Sequence, residues 1–193
     1  ISLDNFIATH HLGASTREAQ ENVAVAVAEQ IVDYLIAGTV RNAVNVPSVP
    51  KDQLPTLSPY INLAERMGLF IAQLYEGGLT QVTVEYSGEV ANLKQEPITL
   101  SALKGLLTPT LQETVNYVNA PLIAKDRGIE VKVSKSSDTM EYTSLITLRI
   151  KAGGKDVSAS GTLNSKKEPR IIQVDNFPME TVPEGDMLVL MNN

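Results

Sequence analysis

The 193 residues include no cysteine. Disulfide staples and thiolate metal sites are excluded, and the composition suits a reducing compartment, so the expected location is cytoplasmic. Histidine is nearly as scarce, with His10 and His11 the only two. They are neighbours in a stretch that reads as extended, where adjacent side chains point to opposite sides, and there is no third; no metal site is expected. Long apolar runs are missing too. The longest, Val23 to Ala28, falls far short of the roughly 20 residues that cross a bilayer. No secretion signal is legible, and no membrane partner is expected. Positive charge is sparse: the formal charge is −6, which disfavours a nucleic-acid partner, because phosphate-backbone binding needs clustered Lys and Arg. The densest basic spot is Lys166-Lys167 with Arg170. The G-x-G-x-x-G fingerprint that cradles a dinucleotide pyrophosphate occurs nowhere.

What is present is 43% hydrophobic and 20% charged, ordinary for a globular chain and enough for one large domain or a domain with an appendage. Asn5 to Thr9 reads as a strand already under way, so the start looks trimmed. Ser15-Thr16-Arg17-Glu18 has the spacing of a capping box, which predicts a helix over 16–37 ending at Gly38. Its middle, Val23-Ala24-Val25-Ala26-Val27-Ala28, is apolar on every face. Such a helix is expected to be covered, by a neighbouring domain or by a second copy of the chain; its valines leave a strand as the lesser alternative. Pro47, Pro50, Pro55 and Pro59 then mark a linker.

Beyond it, Tyr60, Leu63, Ala64, Met67, Ile71 and Leu74 recur at helical spacing and predict a helix over 57–75. Val82, Val84 and Tyr86 alternate as in a half-buried strand. Helices are expected over 98–107 and 112–126, and strands over 130–134, around 146–150, after Gly153-Gly154, and over 170–174. Gly153-Gly154 between two alternating runs is a hairpin signal, because both glycines tolerate positive φ. This order predicts an α+β domain with helices packed on one face of a mostly antiparallel sheet. Met187 to Asn193 reads as a last strand.

The segment His11-Leu12-Gly13-Ala14-Ser15-Thr16 with Glu18-Ala19-Gln20-Glu21-Asn22 resembles the catalytic-histidine segment of the D-3-phosphoglycerate dehydrogenases, within the D-2-hydroxyacid dehydrogenases. The resemblance continues in family order through Arg41-Asn42-Ala43-Val44-Asn45, Leu103-Lys104-Gly105-Leu106-Leu107, Asn116-Tyr117-Val118-Asn119-Ala120-Pro121 and Gly128-Ile129, and it covers nearly the whole chain. It implies an internal piece of such an enzyme. Residues 1–46 would be a remnant of the α/β nucleotide- and substrate-binding domains, contributing the strand, the His loop and the long helix. Residues 47–56 would be the linker, 57–182 a regulatory intervening domain, and 183–193 the first strand of an ACT domain.

The resemblance also implies site residues. His11 would be the general acid-base, taking the substrate hydroxyl proton while hydride passes to NAD; imidazole suits this because its ordinary pKa lies near working pH. Leu12, Gly13 and Ala14 would pass close to the nicotinamide. His10 stands where the family commonly has proline. The intervening domain would sense a small anion, for which Arg170, Lys166 and Lys167 are the basic candidates, and Asn116, Tyr117 and Asn119 are either ligand contacts or buried hydrogen-bonding residues. The implied partners are 3-phosphoglycerate, NAD and further copies of the chain. The alternative is a regulatory anion-binding and oligomerisation module without catalysis.

Overall fold

A computed structural model describes residues 12–37, 42–43, 53–111 and 114–190. The expected strand over 5–9, His10, His11, Arg41, Asn45, Pro47 and Pro50 lie outside them. The chain divides by its contacts into residues 1–44 and 45–193.

In the first unit, α1 spans Arg17–Ala37. Its cap is one residue later than the sequence pattern suggests. Thr16 Oγ1 accepts from the Ala19 amide at 3.2 Å, while Ser15 Oγ donates to the Leu12 carbonyl at 2.9 Å. Ser15 therefore closes the preceding turn and Thr16 satisfies a first-turn donor. Arg17 and Glu21 form an exposed ion pair at 3.1 Å. The valines of this helix are open: Val23, Val25 and Val27 are each about half exposed, and Leu35 and Ile36 more so.

The second unit begins with α2, Leu54–Ile71, and α3, Gln95–Leu107. The helix α2 starts three residues before the expected position and takes in two of the supposed linker prolines. Pro55 sits in the first turn, where no amide partner is needed. Between these helices runs β1, Leu79–Gly88, and after them come α4, Ala120–Asp126, and β2, Glu130–Ser136. The sheet is completed by β3, Ser144–Ala152; β4, Lys155–Leu163; β5, Pro169–Val174; and β6, Phe177–Thr181. Its order is β2-β1-β3-β4-β5-β6. Only β1 and β2 pair in parallel, joined by the crossover through α3 and α4; the other four pairings are antiparallel. The α+β architecture with helices on one face of a mostly antiparallel sheet is the one expected. Gly153 and Gly154 both take positive φ, 55° and 77°, and close the β3–β4 hairpin at Ala152 and Lys155.

Register puts Val82, Val84 and Tyr86 beside Ile150, Leu148 and Ile146, and these beside Val157, Ala159 and Gly161. This face is covered by α2 and α3 through Leu63, Met67, Ile71, Ile98 and Leu106, all buried. The two helices cross with their backbones touching. A Cβ on Gly68 would strike the Ala102 carbonyl oxygen and lie 2.7 Å from the Leu106 nitrogen, and one on Gly105 would strike the Glu65 carbonyl. At Gly161 the sheet is also trimmed, so that Met67 and Leu63 of α2 lie directly on β4.

Two expected elements differ, and one strand is additional. Among the described residues the helix expected over 112–126 is only α4, because Asn116 and Asn119 turn the chain instead. Asn116 Oδ1 accepts from the amides of Val118 and Asn119, and Asn119 Oδ1 accepts from the Asn116 amide at 2.7 Å, bonds that compete with a helix. The strand β6 was not expected; Pro178 argues against a strand, but an edge position tolerates it. Residues 187–190 pair with no strand among the described residues.

Candidate functional site

Leu12, Gly13 and Ala14 form an exposed turn ahead of α1. The Leu12 carbonyl accepts from both the amide and the hydroxyl of Ser15, which fixes the turn. A Cβ on Gly13 would meet no atom within 4 Å, so that backbone is open to close approach. Among the described residues the paired glycines 77–78 and 153–154 serve the start of β1 and the β3–β4 hairpin, and neither opens a helix. They supply no pyrophosphate cradle. His11 lies outside the described residues.

The basic corner is built at the β4–β5 turn. Asn164 Oδ1 accepts from the amides of Lys166 and Glu168, and Lys167 takes a φ of 61°. Lys166 and Lys167 therefore project from a tight turn and are exposed. Arg170 is largely buried and already engaged. Its guanidinium meets Glu168 at 2.9 Å and Glu180 at 3.8 Å, and it donates to the Pro169 carbonyl. The hydrogen bond from Asn164, then the one from Arg170, holds the Glu168 carboxyl below its ordinary pKa. The corner brings the three basic residues together, with the free positive charge on the two lysines.

A second cluster sits where α2, α3 and the 114–119 turn meet. Lys104 Nζ donates to Glu65 Oε1 at 2.7 Å, and the Tyr117 hydroxyl donates to Glu65 Oε2 at 2.9 Å. Lys104 also lies 4.6 Å from the centre of the Tyr117 ring, within cation–π range. Burial, then the Glu65 charge, pushes the Tyr117 hydroxyl above its ordinary pKa. Burial alone would lower Lys104, but its bond to Glu65 together with the Tyr117 and Glu65 charges raises it. With both shifts upward, Lys104 stays charged and Tyr117 neutral at neutral pH. This makes Tyr117 a holding group, and Asn116 and Asn119 turn-forming residues. No proton donor or acceptor poised for catalysis appears here.

The helix-free face of the sheet carries a shallow concavity of about 550 Å³. Its floor is Gln81 and Thr83 of β1, Arg149 and Lys151 of β3, and Ser158 of β4, with Phe177 at the rim. Among the described residues the carboxylate facing Arg149 is Glu85, at 4.0 Å. Asp175 Oδ1 accepts from the Ser158 amide at 2.7 Å. The sequence signal for this face was the polar half of each alternating strand, which reads as solvated surface until the strands are assembled. No group of three or more His, Asp or Glu among the described residues is placed to hold a metal ion.

Residues 56–175 match the D-3-phosphoglycerate dehydrogenase intervening domain. The chain belongs to that family. The intervening-domain match covers α2 through β5 and thus the helix crossing, the Glu65 cluster and the basic corner. Over 189 residues, 97% of the chain, it is 43% identical to the D-3-phosphoglycerate dehydrogenase of Synechocystis sp.. It is 40% identical over 190 residues to that of Methanocaldococcus jannaschii and 32% identical over 186 residues to that of Bacillus subtilis. These alignments take in 34%, 36% and 35% of the respective relatives, so the chain spans about a third of their length.

Proposed function

We propose that these residues belong to an NAD-dependent D-3-phosphoglycerate dehydrogenase, which oxidises 3-phospho-D-glycerate to 3-phosphohydroxypyruvate at the entry to serine synthesis. The observation that carries this is the alignment of almost the whole chain, the His11 segment included, with dehydrogenases of that name. In this reading His11 accepts the substrate hydroxyl proton, and the open turn Leu12–Ala14 lies against the nicotinamide. The intervening domain is regulatory, with Lys166 and Lys167 offering charge to a small anion and Arg170 bracing their turn. The expected setting is the cytoplasm.

The 193 residues alone, without a pyrophosphate cradle, are expected to show no NAD reduction with 3-phosphoglycerate. Exchanged for the aligned third of the Synechocystis enzyme, they should give an active chimera, and His11→Gln should cut its kcat by about 10²–10⁴, the usual worth of a general base. An active chimera indifferent to His11→Gln would end this reading.

The open apolar surface of α1 favours a second role, association with further copies of the chain, which needs no chemistry. The anion sensor is tested separately. Calorimetric titration of the chain with 3-phosphoglycerate and with serine should show weak binding of the phosphorylated acid. Lys166→Ala with Lys167→Ala should abolish it, and binding unchanged by that pair would remove the corner from the proposal.

A further inference from the structure

Among the described residues the sheet ends in two open edges, β6 and β2, and they are guarded unequally. The strand β6 is five residues long and carries Pro178, and its pairing with β5 slips between Ile171 and Gln173. Proline and irregular pairing both keep a sheet edge from adding a further strand. The strand β2 has neither. Its seven residues pair with β1 in unbroken register, from Glu130 beside Gln81 to Ser136 beside Ser87. No described strand lies on its outer side. A regular, extended edge with backbone groups outside any ladder is a template for another strand.

The side chains of β2 divide by face. Register sets Val131 beside Val82 and Val133 beside Val84, both fully buried, so the apolar face of the sheet continues onto this strand. The helices do not cover it there. The helix α4 touches β2, yet Val131 and Val133 remain 39% and 50% exposed. On the opposite face Glu130 and Lys132 form an ion pair at 2.9 Å, each about half exposed. A lysine on an edge strand commonly repels a further strand. Here the charge of Lys132 is balanced by a carboxylate on the same face.

We propose that two copies of the chain pair at this edge, antiparallel, about a two-fold axis at Val131. Opposed residues of an antiparallel pair share a face, so an axis falling between residues would set apolar sides against polar ones. Charge then selects among the residues. An axis at Lys132 opposes two ammonium groups. One at Val133 sets Val131 against Lys135 and leaves Glu130 and Lys132 opposite serines. An axis at Val131 puts Glu130 opposite the partner's Lys132, Lys132 opposite the partner's Glu130, and Val131 opposite its own copy. The ion pair within each chain then joins a ring of four alternating charges, a network rather than an isolated surface pair. Val133 falls beside the partner's Ile129, which carries the apolar row across the join. At Gly128, where φ is 69°, the partner's chain turns out of the strand. The residues that pass this turn on the polar face are the small Ser134 and Ser136.

This contact needs nothing from α1, so it is tested in the 193-residue chain carrying Val27→Asp, which removes any contribution of that helix. The chain has no cysteine, so a single introduced thiol reports on one position. Opposed residues of an antiparallel pair stand about 4.5–5.5 Å apart at Cα, within the span of a disulfide. With oxidised glutathione as the oxidant, Val131→Cys should be trapped as a covalent dimer about tenfold faster than Val133→Cys, whose two copies would stand roughly 13 Å apart. High salt should slow the trapping at 131. The charges are tested by exchange. Glu130→Lys and Lys132→Glu each put like charges opposite one another, and each should slow trapping of Val131→Cys about tenfold. Mixed in equal amounts, the two variants restore opposite charges across the join, and the mixed dimer should be trapped as fast as the parent. The ion pair within each chain stays broken in that mixture, so only a contact between chains gives this recovery. Equal trapping at 131 and 133, faster trapping at 133, or a mixture no better than its parts would overturn the proposal.

Discussion

Glu65 accepts from an ammonium on one oxygen and from a phenol on the other, and this arrangement has a measurable consequence. Lys104 and Tyr117 both have folded pKa values raised above their ordinary ones. A group raised on folding contributes stability in full below its unfolded pKa and loses it as pH rises through the folded value. The cluster should therefore leave stability flat through neutral pH and cost it above about pH 10, where unfolded Tyr and Lys begin to release protons. Tyr117→Phe should flatten part of that alkaline fall in urea titrations, and an identical alkaline slope in the variant would show that the phenol does not carry it. Both residue types were visible in the sequence, and Tyr117 stood in a quoted motif. The partner was not visible: Glu65 lies 52 residues from Tyr117, and no local period relates them. The same holds for Arg66 and Glu184, whose charges meet at 2.9 Å. By contrast, the bonds of Asn116 and Asn119 run to backbone groups two to five residues away, a local pattern that these residue types favour.

The elements were most readable where one face is apolar and the other polar. The register of β1 and the β3–β4 turn follow from period two and paired glycines. Helix ends were less so. The start of α2 hides behind Pro55, which looks like a linker residue until one notes that a helix's first turn needs no amide donors, and behind Pro59, which lies inside the helix and forgoes one bond of its ladder. Gly68 and Gly105 were quieter still. A glycine inside a periodic helix costs about 1 kcal/mol relative to alanine, and that cost is a signal of close packing that composition alone does not expose. Here the reason is the crossing of α2 and α3 at backbone contact. Gly105→Ala must push Glu65 and Leu69 of α2 away and should cost about 1–3 kcal/mol, the usual range for overpacking, despite its better helix propensity. A chemical-denaturation midpoint at or above that of the parent would show that the helices separate freely. Because Glu65 is in the same contact, the variant should also loosen Lys104 and Tyr117.

At the level of the whole molecule, the two units obey opposite rules of burial. In the second, the large apolar side chains of α2 and α3 lie against the sheet and are almost entirely buried. In the first, Val23, Val25, Val27, Ile31 and Leu35 are exposed on a helix whose middle, 23–28, is apolar on every face. Burying a valine or leucine gains about 1.5–3 kcal/mol relative to leaving it in water, so five of them outweigh the usual cost of holding two chains together only if most are covered at once. A second copy meets that condition by symmetry, since one patch then covers itself. Sedimentation of the 193-residue chain should therefore show self-association, and Val27→Asp should shift it towards the monomer by placing an unpaired carboxylate in the contact. The variant should leave the second unit's cooperative unfolding unchanged, because Val27 is not part of its core. If the parent chain is monomeric at every concentration, or if Val27→Asp leaves the mass unaltered, the valines of α1 are not where copies meet.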